Sequence, residues 1–267
     1  MLKRKTLFLL YLILISFAAA SAWAGPVLEA IKASGQLRVG LDPTFPPLEA
    51  KAKDGTLMGF DVDLALHIAQ AMNVKPVLTE TPFKDLLPAL KAKKLDMAIS
   101  GMTITPQRNL GFVFVGPYLL SGQTALIKDR LGSRVRRAVD LNSAAYVVAA
   151  AGHTTSAQAV RDWLPQAKLM TEDGEQNALR LLLTDQAQAM VADMPFCAAM
   201  AFRYAEQGVV HLDVPFTFEP LGIAIAPGDP ELANWLSNFL TLLKGTGRLD
   251  IMGDYWFRDP SWLKRLP

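Results

Sequence analysis

The sequence predicts an α/β fold of two lobes, and three observations carry that prediction. Between residues 36 and 99, short strand-like runs alternate with amphipathic helical stretches in a β-α-β-α-β series, a pattern that argues a parallel sheet covered on its faces by helices. A second series of the same kind runs from residue 146 to residue 212. Two strand-like segments, 123–127 and 221–226, stand at either end of that second series and predict a chain that crosses to another lobe and returns. The first lobe is therefore expected at residues 25–119 and 217–267, with the second, 120–216, inserted in it. A cleft between lobes joined by two strands suits hinge closure on a small ligand.

Residues 1–24 stand apart from the fold. Lys3, Arg4 and Lys5 precede an apolar run from Leu7 to about Phe17, and Ala20-Ser21-Ala22-Trp23-Ala24 follows; this is the pattern of a secretory signal cleaved after Ala24. A cut after Ala22 also satisfies the small-residue rule, and an uncleaved anchor is the competing reading. Cleavage leaves 243 residues and takes the formal charge from +2 to about −1, a balance unsuited to nucleic acid. No later run of about 20 apolar residues is present, so the processed chain is expected to be exported and soluble. Cys197 is the only cysteine, which excludes an internal disulfide and leaves stability to packing; within Phe196-Cys197-Ala198-Ala199-Met200 it reads as a buried small hydrophobe.

Along the chain, helical spacing over 27–34 stops at Gly35, and 36–40 reads as the first strand. Asp42-Pro43-Thr44-Phe45-Pro46-Pro47 is expected as a loop, because its three prolines fix φ and remove donors. Lys53-Asp54-Gly55 has hairpin-turn chemistry. A helix over 62–72 places Leu64, Ile68 and Met72 on one face, with Asp61 as its expected N-cap. Strand 75–79, helix 82–93 and strand 95–99 complete the first series. In the second, strands are expected at 146–150, 168–170, 187–192 and 209–212, and helices at 156–163 (capped by Ser156), 174–183 and 198–206. Helices at 230–244 and 249–257 finish the chain.

Ligands of such sheets bind beyond the carboxyl ends of the strands, where the proline loop and the stretch Ser100-Gly101-Met102-Thr103-Ile104-Thr105-Pro106-Gln107-Arg108 both lie. That stretch offers hydroxyls and a planar guanidinium fork, the chemistry of a carboxylate clamp. Taken alone, it also reads as a surface turn opening a solvated helix.

Several segments together decide between these readings. Gly40-Leu41-Asp42-Pro43-Thr44-Phe45-Pro46-Pro47, Gly59-Phe60-Asp61-Val62-Asp63-Leu64-Ala65, Leu87-Pro88-Ala89-Leu90-Lys91 and Ser100 to Arg108 resemble, in order and spacing, the periplasmic solute-binding proteins of polar amino acid ABC transporters. So do Thr154-Thr155-Ser156, Val191-Ala192-Asp193-Met194-Pro195, Leu221-Gly222-Ile223-Ala224 and Asp254-Tyr255-Trp256-Phe257. The resemblance implies the type II periplasmic-binding-protein fold, capture of an amino acid or close analogue, and delivery to a membrane permease by a monomer, with no cofactor or metal. It implies that Arg108 pairs with the ligand carboxylate, that Gly101 and Thr103 bind its main-chain groups, that Thr155 adds to the carboxylate site and that Asp193 holds the ammonium. Phe45 is expected on the cleft wall. Phe83 belongs to the cleft or to the core, and Asp42 reads a polar side chain or caps its loop. His153 stands where the family commonly has Gly, which either shifts that loop or turns a side chain toward the cleft. Leu48 replaces the usual aromatic.

Two other functions fit the same scaffold. One is a periplasmic enzyme resembling arogenate or prephenate dehydratases, with Glu172 or Glu175 as the nearest general-acid candidates. The other is an accessory protein of a periplasmic system. The joint presence of Arg108 and Asp193 argues against an unused cleft, since an orphaned buried charge is costly.

Overall fold

The computed structural model describes residues 25–267, so the expected signal segment lies outside the described residues. Helix α1 (Pro26–Ser34) leads into β1 (Gln36–Leu41), β2 (Thr44–Phe45), β3 (Glu49–Lys51), β4 (Leu57–Met58), α2 (Phe60–Ala71), β5 (Lys75–Glu80), α3 (Phe83–Lys91), β6 (Met97–Ala98), α4 (Pro106–Asn109) and β7 (Val113–Ser121). Next come β8 (Gln123–Lys128), β9 (Val147–Ala151), α5 (Thr155–Trp163), β10 (Lys168–Glu172), α6 (Glu175–Leu183), β11 (Ala189–Asp193), α7 (Met194–Arg203) and β12 (Val209–His211). The chain returns through β13 (Glu219–Ile225) to α8 (Pro230–Gly245) and α9 (Arg248–Gly253).

These strands form two five-stranded sheets, ordered β5-β1-β6-β13-β7 and β10-β9-β11-β8-β12. In each, the strands of the β-α-β units run parallel: β1 with β5 and β6, β9 with β10 and β11. The crossing strands break the expected parallel pattern. β13 is antiparallel to β6 and β7, and β8 is antiparallel to β11 and β12. A helical crossover reverses the chain between parallel neighbours, whereas a strand arriving from the other lobe enters without one.

The stretch 113–121, read in the sequence only as a passage, is the strand β7, paired with β13 as far as Ser121 opposite Glu219. Its pairing carries the first sheet through Ser121, and β8 joins the second sheet at Gln123, so the crossing falls at Gly122 rather than at residues 119–120. The proline loop also contributes structure: β2, β3 and β4 form a small antiparallel sheet, with β3 and β4 joined across the Asp54-Gly55 turn.

Apolar periodicity fills the first core with Leu37, Val39, Leu64, Ile68, Met97 and Ile99, all fully buried. Val148, Ala150, Val160, Leu164 and Val191 fill part of the second. Each buried Val, Leu, Ile or Met side chain contributes about 1.5–3 kcal/mol. Arg38 on β1 grips Asp96 just before β6, Nη2 to Oδ1 at 2.6 Å, and Asp96 Oδ2 also accepts the Arg38 backbone N–H at 2.7 Å. At the far end of the lobe, Asp229 caps two helices: Oδ1 accepts from Leu232 at the start of α8, and Oδ2 accepts from Val27 and Leu28 at the start of α1, each at 2.8 Å. Asp229→Ala is expected to destabilise the protein by about 2–3 kcal/mol, the sum of two lost caps. Urea unfolding checks this, and a loss under about 0.5 kcal/mol, below a single cap, would contradict it.

Candidate functional site

The loop after β6 is held from beneath by two buried carboxyl groups. Glu49 Oε1 accepts from Ser100 Oγ at 2.7 Å, and the same Ser100 oxygen accepts the Asp42 N–H at 2.9 Å. Asp61 Oδ2 accepts the Gly101 N–H at 2.6 Å and the Tyr118 hydroxyl at 2.9 Å. Asp61 is therefore not the expected helix cap; α2 starts after Gly59, and no side chain caps it. Glu49 Oε2 and Asp61 Oδ1 are buried without a hydrogen-bond partner. Burial raises both carboxyls, Asp61 to about 6, with repulsion from Asp61 adding to the rise at Glu49.

Gly101 follows with φ 53°, and a Cβ there would stand 2.6 Å from the Phe45 ring. Only glycine combines this backbone with so close an approach. Its N–H is committed to Asp61, so of its expected main-chain contributions only the carbonyl is free of that bond.

Thr105 caps α4 by accepting the Arg108 N–H at 3.1 Å, which sends the Arg108 side chain back over the loop. There Nη1 donates to the Thr103 carbonyl at 2.8 Å, and the guanidinium carbon lies 5.5 Å from the Phe83 ring centre. No carboxylate is within ion-pair distance of it among the described residues. Desolvation pulls the Arg108 pKa below its ordinary value, and the charges of Glu219 and Asp193 oppose that pull.

Asp193 approaches from the other lobe. It ends β11 and occupies the N-cap position of α7, yet its side chain makes no capping bond. Instead Oδ2 accepts from Gln123 Nε2 at 2.9 Å, while Oδ1 is buried without a partner. Burial raises its pKa to about 7; the Ser121 hydroxyl, the Gln123 amide and Arg108 work against the rise, and the nearby Glu219 adds to it. Gln123, the first residue of β8, also reaches Thr155 Oγ1 at 3.3 Å. Thr154, not the expected Ser156, caps α5 by accepting the Ala157 N–H at 3.3 Å, and Ser156 is buried.

The lobes are closed on one another. Thr103 Oγ1 lies 3.2 Å from Thr155 Oγ1, Gln176 Nε2 donates to the Thr44 carbonyl at 3.3 Å, and Phe45 stacks on Phe196 with ring centres 5.6 Å apart. Lys84 Nζ meets Asp173 Oδ2 at 2.8 Å across the mouth.

Between the lobes lies a narrow cleft whose closed interior has a cavity volume of about 40 Å³. Asp42, Phe45, Phe83, Gly101, Thr103, Thr155 and Asp193 line it together. Asp42 Oδ2 accepts the Phe83 N–H at 2.8 Å at the start of α3, and the residue also lines the cavity. Arg108 is not on the lining itself; it adjoins the cleft through Thr103 and Phe83. His153 takes a left-handed backbone, φ 61°, and lies at the outer mouth with Lys84 and Asp173. Sequence reasoning overlooked Thr44, Glu49 and Gln123, which carry no motif of their own. Glu175, named there only as an acid for an enzyme, lines the cleft, and Glu172 does not.

A family model of bacterial extracellular solute-binding proteins, family 3, matches residues 37–259. The chain belongs to that family. Among curated relatives, this solute-binding protein is similar to the ABC transporter arginine-binding protein 1 of Escherichia coli (strain K12), 28% identical over 228 residues, covering 84% of this chain and 92% of the relative. Among solved structures, it resembles a binding component of an ABC transporter from Wolinella succinogenes complexed with lysine, with TM-score 0.83, 40% identity, and 86% and 99% of the two chains covered. It equally resembles the ancestral amino acid-binding protein AncCDT-1, a precursor of cyclohexadienyl dehydratase, with TM-score 0.81, 40% identity and the same coverage. The solute-binding protein thus has the two-lobed type II periplasmic-binding-protein fold.

Because Gly101 packs under Phe45, Gly101→Ala is expected to cost about 1–2 kcal/mol from the left-handed backbone alone and to push the Phe45 ring into the cleft. Calorimetry should show weakened ligand binding together with a lowered melting temperature; unchanged binding would contradict this packing.

Proposed function

We propose that this solute-binding protein captures an amino acid in the periplasm by lobe closure and presents the closed form, as a monomer, to the membrane permease of an ABC transporter. The observation that supports this reading is a pair of uncompensated poles on opposite lobes. Arg108 is desolvated with no carboxylate partner, and Asp193 is buried with one oxygen unpartnered. A zwitterion supplies the missing charge to each. Arg108 takes the α-carboxylate with the hydroxyls of Thr103 and Thr155, Asp193 takes the α-ammonium, and the Gly101 carbonyl adds an acceptor for it. Charge-assisted bonds of this kind are strong where water is excluded. Phe45 and Phe83 flank the ligand side chain, Asp42 addresses its polar end, and His153 acts only at the rim. Binding of arginine or lysine by the similar proteins supports an amino acid as the ligand.

We propose no turnover. The dehydratase alternative has one observation in its favour, a buried carboxyl at Glu175 whose pKa desolvation raises well above the ordinary carboxylate value. Formation of product from prephenate or arogenate by the purified protein would overturn the binding reading.

Arg108→Ala is expected to weaken the best amino acid ligand about 30-fold or more, since truncating one partner of a buried charge pair costs about 2–5 kcal/mol. Calorimetry measures this, and unchanged affinity would contradict the clamp. The Asp193 pKa of about 7 sets a pH dependence. A ligand ammonium binds the ionised carboxyl, so below pH 7 binding must first release a proton. Affinity is expected to be nearly flat just above pH 7 and to fall toward about tenfold per pH unit below it. An affinity independent of pH between 5 and 7 would remove Asp193 from the site.

A further inference from the structure

We propose that Glu219 is a positioning residue that acts on the amino acid site from the hinge: its carboxylate clasps the two crossing segments to each other in the closed arrangement and so sets the aim of Gln123 at Asp193 and Thr155. This inference rests on the amino acid reading and adds to it a residue that touches no ligand.

The two crossings are short and lie side by side. The first sheet ends with Ser121 opposite Glu219, and the second begins with Gln123 opposite Asp193. On the return, the Phe216 N–H donates to the Gln123 carbonyl at 2.9 Å, so the chain passes back to the first sheet over Thr217 and Phe218. The crossings touch, because a Cβ on Gly122 would stand 2.6 Å from the Thr217 carbonyl oxygen and 2.7 Å from Pro215. A rotation of one lobe against the other is absorbed over these few residues.

Thr217 bridges them. Its hydroxyl accepts the Gln123 N–H at 2.9 Å and donates to Glu219 Oε1 at 2.8 Å. One partner opens β8 in the second sheet, and the other opens β13 in the first. From Gln123 the run continues, since Nε2 donates to Asp193 Oδ2 at 2.9 Å and reaches Thr155 Oγ1 at 3.3 Å. Hydrogen bonds thus lead from Glu219 across the hinge to both second-lobe groups assigned to the ligand. A hydroxyl bonded to both lobes keeps both bonds only at one setting of the lobes.

Burial makes the clasp matter. Glu219 is 5% exposed and Gln123 fully buried. Glu219 Oε2 has no partner among the described residues, which leaves the Thr217 hydroxyl as the side chain that holds this carboxylate. Parting a buried acceptor or amide from its partner is costly, so the closed setting is favoured over those that break the run. Glu219 is also the foremost acid acting on Arg108, and its charge favours the guanidinium over its neutral form.

The test is calorimetry and stopped-flow binding on the mature protein, with the standard L-amino acid that most raises the wild-type melting temperature as the probe. Thr217→Val keeps the shape and removes the hydroxyl. It is expected to weaken the probe about fivefold or more, with the loss in a faster dissociation rate and the association rate held. Thr217→Ser should return affinity to within about twofold of wild type. Glu219→Ala should lose at least as much as Thr217→Val, and combining the two should cost little more, because both act on one bond. Wild-type affinity in Thr217→Val beside a lowered melting temperature would overturn the proposal, leaving the clasp a stabilising contact and the amino acid reading intact; so would losses that add in the double variant. Each variant is first shown folded by its melting transition, and Thr217→Ala replaces Thr217→Val, under the same expectations, if the latter does not fold. A wild-type melting temperature that no amino acid raises would overturn both this inference and the amino acid reading.

Discussion

The buried pair Glu49 and Asp61 is the constraint on which the site depends. Between them these carboxyls anchor the Ser100 hydroxyl, the Gly101 amide and the Tyr118 hydroxyl, and through Ser100 they also hold the Asp42 backbone. Two loops at the carboxyl ends of β1 and β6 are thereby fastened to the same point. Removing either acid would leave buried donors unmatched, each at a cost of about 1–3 kcal/mol. Burial raises the pKa of both carboxyls, which eases the repulsion between two like groups lying together. The loop that carries Thr103 and leads to Arg108 is fastened from beneath by these buried hydrogen bonds.

Closure then supplies what neither lobe has alone. Arg108 and Thr103 belong to the first lobe, Asp193 and Thr155 to the second, and the hinge residue Gln123 touches both Asp193 and Thr155. The direct contacts across the cleft are few: a hydroxyl pair, an aromatic stack, a side-chain amide on a carbonyl, and an exposed ion pair at the mouth. An ion pair of that exposure contributes little. The closed form therefore leans on whatever fills the cleft, and a ligand that bridges the two charged poles shifts the equilibrium toward closure by its differential affinity.

Most of the architecture was legible in the sequence because it rests on local periodicity. Helical spacing located α2, α3, α5 and α6, and apolar runs located β1, β5, β9 and β11, each to within a few residues. The strands with long-range partners were harder. β7 exists because β13 pairs with it from a hundred residues away, and β2 is two residues long and stands only by pairing with β3. Cap assignments failed for the same reason. Asp61 and Ser156 had the right chemistry at the right place, but tertiary packing gave Asp61 a better use and handed the α5 cap to Thr154.

The sequence by itself determined two lobes and the crossing strands, since these follow from alternating periods, and through a family pattern it pointed to Arg108 and Asp193 as the poles proposed for the site. The tertiary structure alone decided which acids in the cleft are already satisfied. Nothing in the chain order distinguishes Glu49, Asp42 and Glu175 as carboxyls. Only the folded arrangement shows that one oxygen of Glu49 is matched by Ser100 while the other is not, that Asp42 is half-engaged by Phe83, and that Glu175 Oε2 is buried without a donor. Hydrogen-bond satisfaction is a property of neighbours in space, and for a buried polar group it sets the energy.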